Sequence, residues 1–199
     1  STCELVYRFI QEAGMSDLID TDTAACLYTG IVTDTGSFRF NSCSSTTMRI
    51  AADLMDKGIN HSSIFDSVYD SFSESRVKFI GYAISQKLEV LPEYNTALIT
   101  INHEELKRFN ITTGDTEGLV NYGLSIEGIR FAVLIIDRSK LVKMSFRRKG
   151  QFAANVFAMN HCNGGGHFHA AGGSSSASLE DTIEQFKTAL INYKDQLHG

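Results

Sequence analysis

Three segments of the chain combine residue types that could bind a phosphate or a metal ion. The first, residues 28–38, places Asp34 among hydroxyl side chains and two residues before a glycine. A carboxylate at such a place can occupy a tight turn with little steric cover, which suits a metal ligand or an acid–base group. The structural alternative is an Asx turn in which Asp34 caps the next element. The short Asp-Thr-Gly triplet does not decide between the two.

The second segment, residues 163–173, is dominated by glycine and contains the triplet 164–166 directly before His167. Successive backbone N–H groups of such a segment can form an anion-binding nest, to which an adjacent histidine adds a proton donor. A flexible glycine turn is the alternative. A zinc site made from Cys162, His167 and His169 is less favoured, because this spacing matches no common ligand pattern.

The third segment is a predicted strand over residues 141–148. The two-residue period of a strand divides its side chains between two faces: Val142, Met144 and Phe146 on one, and Lys143, Ser145 and Arg147 on the other. The first face is typical of packing against a core. The second offers two cations and a hydroxyl, and a guanidinium fork suits a phosphate or a carboxylate. A solvated strand face is the alternative, but a glycine-rich nest beside it favours an anion site.

Helical spacing dominates the elements that precede these segments. Leu5, Val6, Phe9 and Ile10 share one face of a helix that Gly14 can end, and the same spacing recurs over 44–58 and 64–69. Residues 77–87 are predicted to form a connecting helix.

From residue 88 onward the pattern changes to short apolar, β-branched runs, which predict strands over 96–102, 129–136 and 141–147. The turn 137–140 is expected to join the last two as a hairpin. A helix is expected over 118–125, and Ser178 with Asp181 forms a capping-box pattern that opens a final helix.

Length and composition exclude several classes of protein. The chain has 199 residues, of which 43% are hydrophobic and 21% charged, as is usual for a folded globular chain. Its formal net charge of −5 excludes a broadly basic nucleic-acid coat, so a phosphate-bearing ligand needs a local cationic pocket. No apolar run reaches the roughly 20 residues of a membrane helix. The dispersed cysteines contain no C-x-x-C pair, which favours a reducing cytoplasm. The lack of a long apolar run favours no membrane partner.

The order of these segments resembles the DHH-superfamily phosphoesterases. The similarity is to the bacterial branch of short-oligoribonucleotide exonucleases and 3'-phosphoadenosine-5'-phosphate phosphatases, often labelled exopolyphosphatase-related, and it extends over essentially the whole chain. Residues 27–38 resemble the fourth metal-binding motif of the catalytic domain, and 164–172 resemble the signature of the DHH-associated C-terminal domain. Residues 145–147 resemble the strand before that signature, and 115–121 resemble the start of the helix that lines the substrate cleft.

The resemblance implies an α/β protein with three parts. Residues 1–75 would be the helical C-terminal part of a DHH catalytic domain, 76–91 a linker helix, and 92–199 a smaller α/β domain with a mixed sheet and flanking helices. It also implies two Mn²⁺ ions, with Mg²⁺ as an alternative. Of their expected ligands only Asp34 is present, because the chain has no Asp-His-His and starts about where the segment after that motif would begin. We therefore expect the 199-residue chain alone to be inactive.

The residues that the resemblance assigns to substrate and phosphate binding are Ser145, Arg147, Gly164, Gly165, Gly166, His167, Glu117 and Asn121. The expected function of the intact protein is a metal-dependent phosphoesterase. It would degrade short oligoribonucleotides to mononucleotides, remove the 3'-phosphate of adenosine 3',5'-bisphosphate, or both. Its partner would then be short RNA or a nucleotide bisphosphate, and a homodimer stays open. The sequence does not choose between these substrates and a cyclic dinucleotide or polyphosphate.

Two alternatives belong to other functional classes. One is a nucleotide- or nucleic-acid-binding module without catalysis, since the same Gly-His domain type also occurs in alanyl-tRNA synthetases as an RNA-contacting appendage. The other is a homodimeric aspartic protease that uses Asp34, because such enzymes need two aspartates that share a proton. The helical pattern on both sides of Asp34 disfavours the protease.

Overall fold

A computed structural model describes residues 1–198, and the chain divides into two compact units, Ser1–Phe72 and Ser73–Gly199. The first unit is helical. Its elements are α1 (Thr2–Glu12), a short 3-10 turn (Ser16–Leu18), α2 (Thr21–Asp34), α3 (Ser45–Asp56) and α4 (His61–Tyr69). The start of α3 shows why the chain becomes helical there: Ser44 and Thr47 form a reciprocal capping box that satisfies free N–H groups of the first turn.

The core of the first unit is formed mainly by α2 and α3. Ile31 and Leu54 are fully buried, and they pack with the other apolar residues of these helices. Helix α1 contributes Tyr7, whose hydroxyl donates a hydrogen bond of 2.9 Å to Asp53. The apolar face recognised in the sequence of α1 is largely exposed, since Leu5 is 63% and Phe9 68% accessible.

The second unit combines a sheet with helices. Its elements in chain order are α5 (Glu74–Gln86), β1 (Leu88–Leu91), a 3-10 turn (Pro92–Tyr94), β2 (Thr96–Ile101), α6 (His103–Arg108), α7 (Leu119–Leu124), β3 (Phe131–Asp137), β4 (Val142–Arg148), α8 (Ala154–His161), β5 (Gly165–His167), β6 (Ala170–Ser175), α9 (Leu179–Ile191) and α10 (Lys194–His198). The strands form one sheet in the order β1-β2-β3-β4-β6-β5. Strands β2 and β3 are parallel and the other neighbours antiparallel. The expected mixed α/β fold is therefore confirmed.

Each face of this sheet is packed against helices. On one face, here called the α9 face, Phe131 and Phe146 lie in a core with apolar residues of α8, α9 and α10. On the other, here called the α7 face, Leu134 and Ile99 lie in a core with residues of α5, α6 and α7. Helix α7 comes close to the strands because Gly123 has no side chain: a Cβ there would lie 3.0 Å from the methyl groups of both Ala97 and Ala132.

Most elements expected in this unit occur within two residues of their predicted bounds, including the hairpin between β3 and β4 and the final helix. Ser178 caps that helix by accepting a 3.0 Å hydrogen bond from the Asp181 N–H. Within residues 1–198, none of the helices is both long and apolar enough to cross a bilayer.

Candidate functional site

The strand register brings several of the predicted site residues onto one face of the sheet. Paired residues of neighbouring strands point to the same side. Arg147 pairs with Ala132 on β3 and with Ala170 on β6, and Ala170 in turn pairs with His167 on β5. Ser145, Gly172 and Gly165 form the adjacent row. Since Ala132 faces α7, the Arg147 and Ser145 rows also lie on the α7 face.

Arg147 is a half-buried cation without an anionic partner. Its Nη1 donates to the carbonyl oxygen of Phe146 at 2.9 Å, and no carboxylate of residues 1–198 pairs with it. Burial removes water from the guanidinium and lowers the pKa of Arg147. A cation that has lost hydration without gaining a counter-ion attracts an incoming anion.

The glycine segment forms a β-hairpin instead of the expected nest. Strands β5 and β6 pair directly, and the two-residue turn Phe168–His169 joins them. Successive N–H groups of an extended strand point to opposite edges, so Gly165 and Gly166 do not direct their N–H groups at one anion. Gly166 has φ +137°, which L residues rarely adopt. His167 is exposed near the turn.

Two glycines allow the hairpin to approach its neighbours closely. A Cβ on Gly164 would overlap the carbonyl oxygen of Gly172 and lie 2.7 Å from the Cα of Gly173. A Cβ on Gly173 would lie 2.5 Å from the carbonyl oxygen of Cys162, which accepts a 2.9 Å hydrogen bond from the Ser174 N–H. These glycines therefore let the hairpin join the sheet and lie against the end of α8.

Glu117 and Asn121, the predicted site residues near α7, are both exposed. The turn before them is held by Asp115, whose Oδ2 accepts hydrogen bonds from the N–H and hydroxyl of Thr112 at 2.7 and 2.8 Å. These bonds lower the pKa of Asp115. Neither Glu117 nor Asn121 bonds to Ser145 or Arg147 within the part of the chain that the structure describes.

Asp34 is the last residue of α2 and belongs to the first unit, whereas the other predicted site residues belong to the second. Its side chain is 59% exposed and lies 3.4 Å from the backbone nitrogen of Ser1. It does not form the Asx turn considered above, because Thr35 performs the local capping: its hydroxyl donates to the Ile31 carbonyl oxygen at 2.7 Å and accepts from the Phe38 N–H at 3.0 Å. The carboxylate is thus accessible at the end of a helix.

The zinc alternative does not agree with the structure. Burial raises the pKa of the Cys162 thiol to about 11, which disfavours the thiolate that a metal needs. His167 and His169 are exposed on the hairpin. Within residues 1–198 no group of three or more His, Cys, Asp or Glu side chains is arranged to hold a metal ion.

The contact between Arg148 and Phe168 was not predicted from the sequence. The guanidinium carbon of Arg148 lies 3.8 Å from the centroid of the Phe168 ring, and its Nε donates to the Phe168 carbonyl oxygen at 3.2 Å. The strand period contained a usable signal, since it places Arg148 on the same face as Met144 and Phe146. A cation on a buried apolar face needs a compensating partner, such as a carboxylate, a carbonyl oxygen or an aromatic ring.

Comparison with known proteins agrees with this architecture. The DHHA1 domain pattern matches residues 95–195, which is half of the chain and contains the sheet from β2 to β6 and most of the helices that pack on it. The chain belongs to the DHHA1 domain family. The DHH-superfamily resemblance drawn from the motifs is thereby confirmed.

The DHHA1 chain is also similar to longer curated proteins. It is 31% identical over 175 residues to the bifunctional oligoribonuclease and PAP phosphatase NrnA of Bacillus subtilis, covering 87% of this chain and 54% of that protein. It is 30% identical over 184 residues to the NrnA of Thermus thermophilus, covering 88% and 54%. The chain thus spans about half the length of these relatives.

Solved structures support the same fold. An exopolyphosphatase-related protein from Bacteroides fragilis superposes with a TM-score of 0.96 at 39% identity, over 100% of the DHHA1 chain and 58% of the other chain. The pGpG-specific phosphodiesterase PggH from Vibrio cholerae has a TM-score of 0.50 at 14% identity, over 85% of this chain and 57% of the other, and shows the fold alone.

Proposed function

We propose that this chain supplies the substrate-binding part of a metal-dependent phosphoesterase. The enzyme would degrade short oligoribonucleotides to mononucleotides and remove the 3'-phosphate of adenosine 3',5'-bisphosphate. The observation that carries the proposal is Arg147, a half-buried cation without a carboxylate partner, in the strand row that continues to His167. The names of the NrnA relatives supply the substrate class, and the similarity to them extends over both units of the chain.

Each predicted site residue of the second unit has a distinct part in this proposal. The planar guanidinium of Arg147 binds two phosphate oxygens. His167 donates a hydrogen bond from its ring nitrogen to the same phosphate, and the Ser145 hydroxyl contributes a further polar contact. The glycines 164–166 keep side chains away from the phosphate and let it approach the hairpin backbone. Glu117 and Asn121 are proposed to contact the nucleoside, because they are exposed and unpaired with the site cations.

Asp34 is the proposed metal ligand, and Mn²⁺ the proposed ion, with Mg²⁺ as the alternative. An accessible carboxylate is a suitable oxygen ligand for either ion. A single carboxylate fills one position of an octahedral shell, and the described residues add no cluster to it. The metal part of the proposal therefore requires ligands from elsewhere in the protein that contains this chain. When bound, a pair of such ions would activate water for attack on phosphorus.

A second candidate is a nucleotide-binding module without catalysis. It is favoured by one observation: the proposed phosphate contacts all lie in the second unit, whereas Asp34 is the one expected metal ligand that the chain contains. The free state of all four cysteines supports a reducing cytoplasm for either function.

A substrate panel separates the two candidates. The protein that contains this chain is incubated with RNAs of two to five nucleotides or with adenosine 3',5'-bisphosphate, in Mn²⁺, in Mg²⁺ and without metal. The enzyme hypothesis predicts metal-dependent release of mononucleotides or phosphate. Asp34→Asn should abolish turnover while leaving folding and nucleotide binding unchanged, because the side chain is exposed and makes no bond to the core.

The matched control is Asp22→Asn, at an exposed carboxylate in the first turn of the same helix, which should retain turnover. Binding without turnover under every metal condition would favour the module. Turnover that survives Asp34→Asn would show that Asp34 is not a ligand of the reactive metal.

A further inference from the structure

Arg148 occupies a position where a cation is costly. The alternation of β4 directs it to the α9 face beside Phe146, and it is 6% exposed. No carboxylate of residues 1–198 pairs with its guanidinium. Burial lowers the pKa of Arg148 by removing water from the charged form. A cation that is buried without a counter-ion needs other contacts to compensate for the lost hydration.

The contacts of Arg148 converge on the turn between β5 and β6. Its guanidinium carbon lies 3.8 Å from the centroid of the Phe168 ring, a distance suitable for a cation–π interaction. Its Nε donates to the carbonyl oxygen of Phe168 at 3.2 Å. Its backbone N–H donates to the carbonyl oxygen of His169 at 3.3 Å. Side chain and backbone of one residue therefore hold both residues of the turn.

Apart from the strand pairing on either side, no other side-chain hydrogen bond or ion pair within residues 1–198 holds this turn. Strand β5 is at the edge of the sheet, has three residues, and pairs with β6 on one side only. His167, Phe168 and His169 are all exposed. An Arg148 contact at the turn thus restricts the segment that carries His167.

We propose that Arg148 is a positioning residue that holds the turn from the α9 face and so keeps His167 in the strand row of Arg147 on the α7 face, with Ala170 between them. The inference rests on the proposed function, because it assumes that His167 and Arg147 bind the same nucleotide phosphate. Adjacent arginines of one strand then have separate roles: Arg147 contacts the phosphate, and Arg148 fixes the hairpin that provides the second contact.

The test is calorimetric titration of adenosine 3',5'-bisphosphate into variants of the 199-residue chain. Arg148→Met should weaken binding about tenfold, since a hydrogen bond and a cation–π contact are removed together. Phe168→Leu should weaken it by a smaller factor, because the carbonyl contact remains. Arg148→Lys should give an intermediate affinity, since an ammonium can lie over the ring but lacks the Nε donor. These two milder variants keep the proposal testable if Arg148→Met does not fold.

The matched control is Arg108→Met. Arg108 lies over the rings of Tyr82 and Phe109 at 5.6 and 5.2 Å, within the same unit but on elements remote in sequence from the hairpin. Its replacement should leave the nucleotide affinity unchanged. Urea unfolding of each variant reports whether a loss of affinity follows from a loss of folded protein.

Two further readouts distinguish positioning from general stabilisation or direct contact. In the His167→Ala background, Arg148→Met should have little additional effect, because it acts through His167. Arg148→Met should also leave the salt dependence of binding unchanged, whereas Arg147→Met should reduce it. Full additivity with His167→Ala, a reduced salt dependence in Arg148→Met, or wild-type affinity in Arg148→Met would each overturn the inference.

Failure of the proposed function would give a different set of variant affinities from failure of the Arg148 proposal. If His167→Ala and Arg147→Met both bind like the wild type, the phosphate site itself is misplaced. If they weaken binding and Arg148→Met does not, the site stands and only the positioning role of Arg148 is refuted.

Discussion

Alanine substitutions in the triplet 164–166 should have unequal effects, although the three glycines are adjacent in sequence. In Gly164→Ala the added Cβ would overlap the Gly172 carbonyl oxygen and lie 2.7 Å from the Gly173 Cα. Both obstacles are backbone atoms of β6, so relief requires a shift of the hairpin. In Gly165→Ala the nearest atom is Met159 Cγ at 3.8 Å, an ordinary contact.

The expected magnitudes follow from these distances. Overpacking typically costs about 1–3 kcal/mol, so Gly164→Ala should lower the free energy of unfolding by that amount. Gly166→Ala should cost a similar amount, because its φ of +137° is strained for alanine and its Cβ would lie 2.7 Å from the Ala170 carbonyl oxygen. Gly165→Ala should remain within about 1 kcal/mol of the wild type and can gain stability by restricting the unfolded chain.

Urea unfolding of the three variants, monitored by circular dichroism, measures these differences. A shift of the midpoint with an unchanged m-value reports a change in stability. Gly81→Ala is a useful control, since this glycine lies inside α5 with no atom within 4 Å of the added Cβ and should gain stability. Equal midpoints for Gly164→Ala and Gly165→Ala would refute the proposed close contact between the hairpin strands.

Two further predictions concern titratable groups that are partly or fully buried. Burial raises the pKa of Glu105, but hydrogen bonds from Lys87 and Tyr82 outweigh it and hold that pKa below its ordinary value. This contribution to stability is therefore present above the unfolded-state pKa and is lost as pH falls through the folded-state pKa. The Glu105 side chain is 12% exposed, and Glu105→Gln should lower the free energy of unfolding by about 1–3 kcal/mol near pH 7 and by less near pH 3 in urea titrations. The control Glu104→Gln, at an exposed side chain, should change stability at neither pH. An equal loss for Glu105→Gln at both pH values would contradict the account. Cys162 is buried and its pKa is raised to about 11, so it should resist an aromatic disulfide reagent until urea is added, while the exposed Cys26 should react at once. Rapid modification of Cys162 in the folded Cys26→Ser variant would contradict this.

The two faces of β4 could be predicted from the sequence, and the reason is local. Alternation of apolar and polar side chains is a property of one strand, and the structure confirms that Met144 and Phe146 are buried while Lys143 is exposed. The long-range pairing of β4 with β6 is not contained in that pattern. It depends on α8 crossing between the two strands, and the resulting register places Arg147 in one row with His167.

The glycine hairpin was harder to predict because glycine disfavours strands. Residues 170–175 form β6 since Gly172 and Gly173 allow close backbone contacts that side chains would block. Helix α2 was also difficult to predict from the sequence, because Ile31, Val32 and Thr33 are β-branched and weak helix formers. Burial of Ile31 and Val32 against the neighbouring helices outweighs that propensity, and Asp34 consequently ends a helix.

The central claim is that the Arg147 row of the α7 face binds a nucleotide phosphate, and one measurement tests it most directly. Adenosine 3',5'-bisphosphate is titrated into the wild-type chain, Arg147→Met, His167→Ala and the control Lys187→Met, at low and high salt. Lys187 is an exposed cation of α9 that pairs with Glu89 at 2.8 Å. The account predicts about tenfold or greater weakening in the first two variants, as for a lost charge-assisted hydrogen bond. It also predicts no change in the control and weaker wild-type binding at high salt. Equal affinities in all four proteins would contradict the claim.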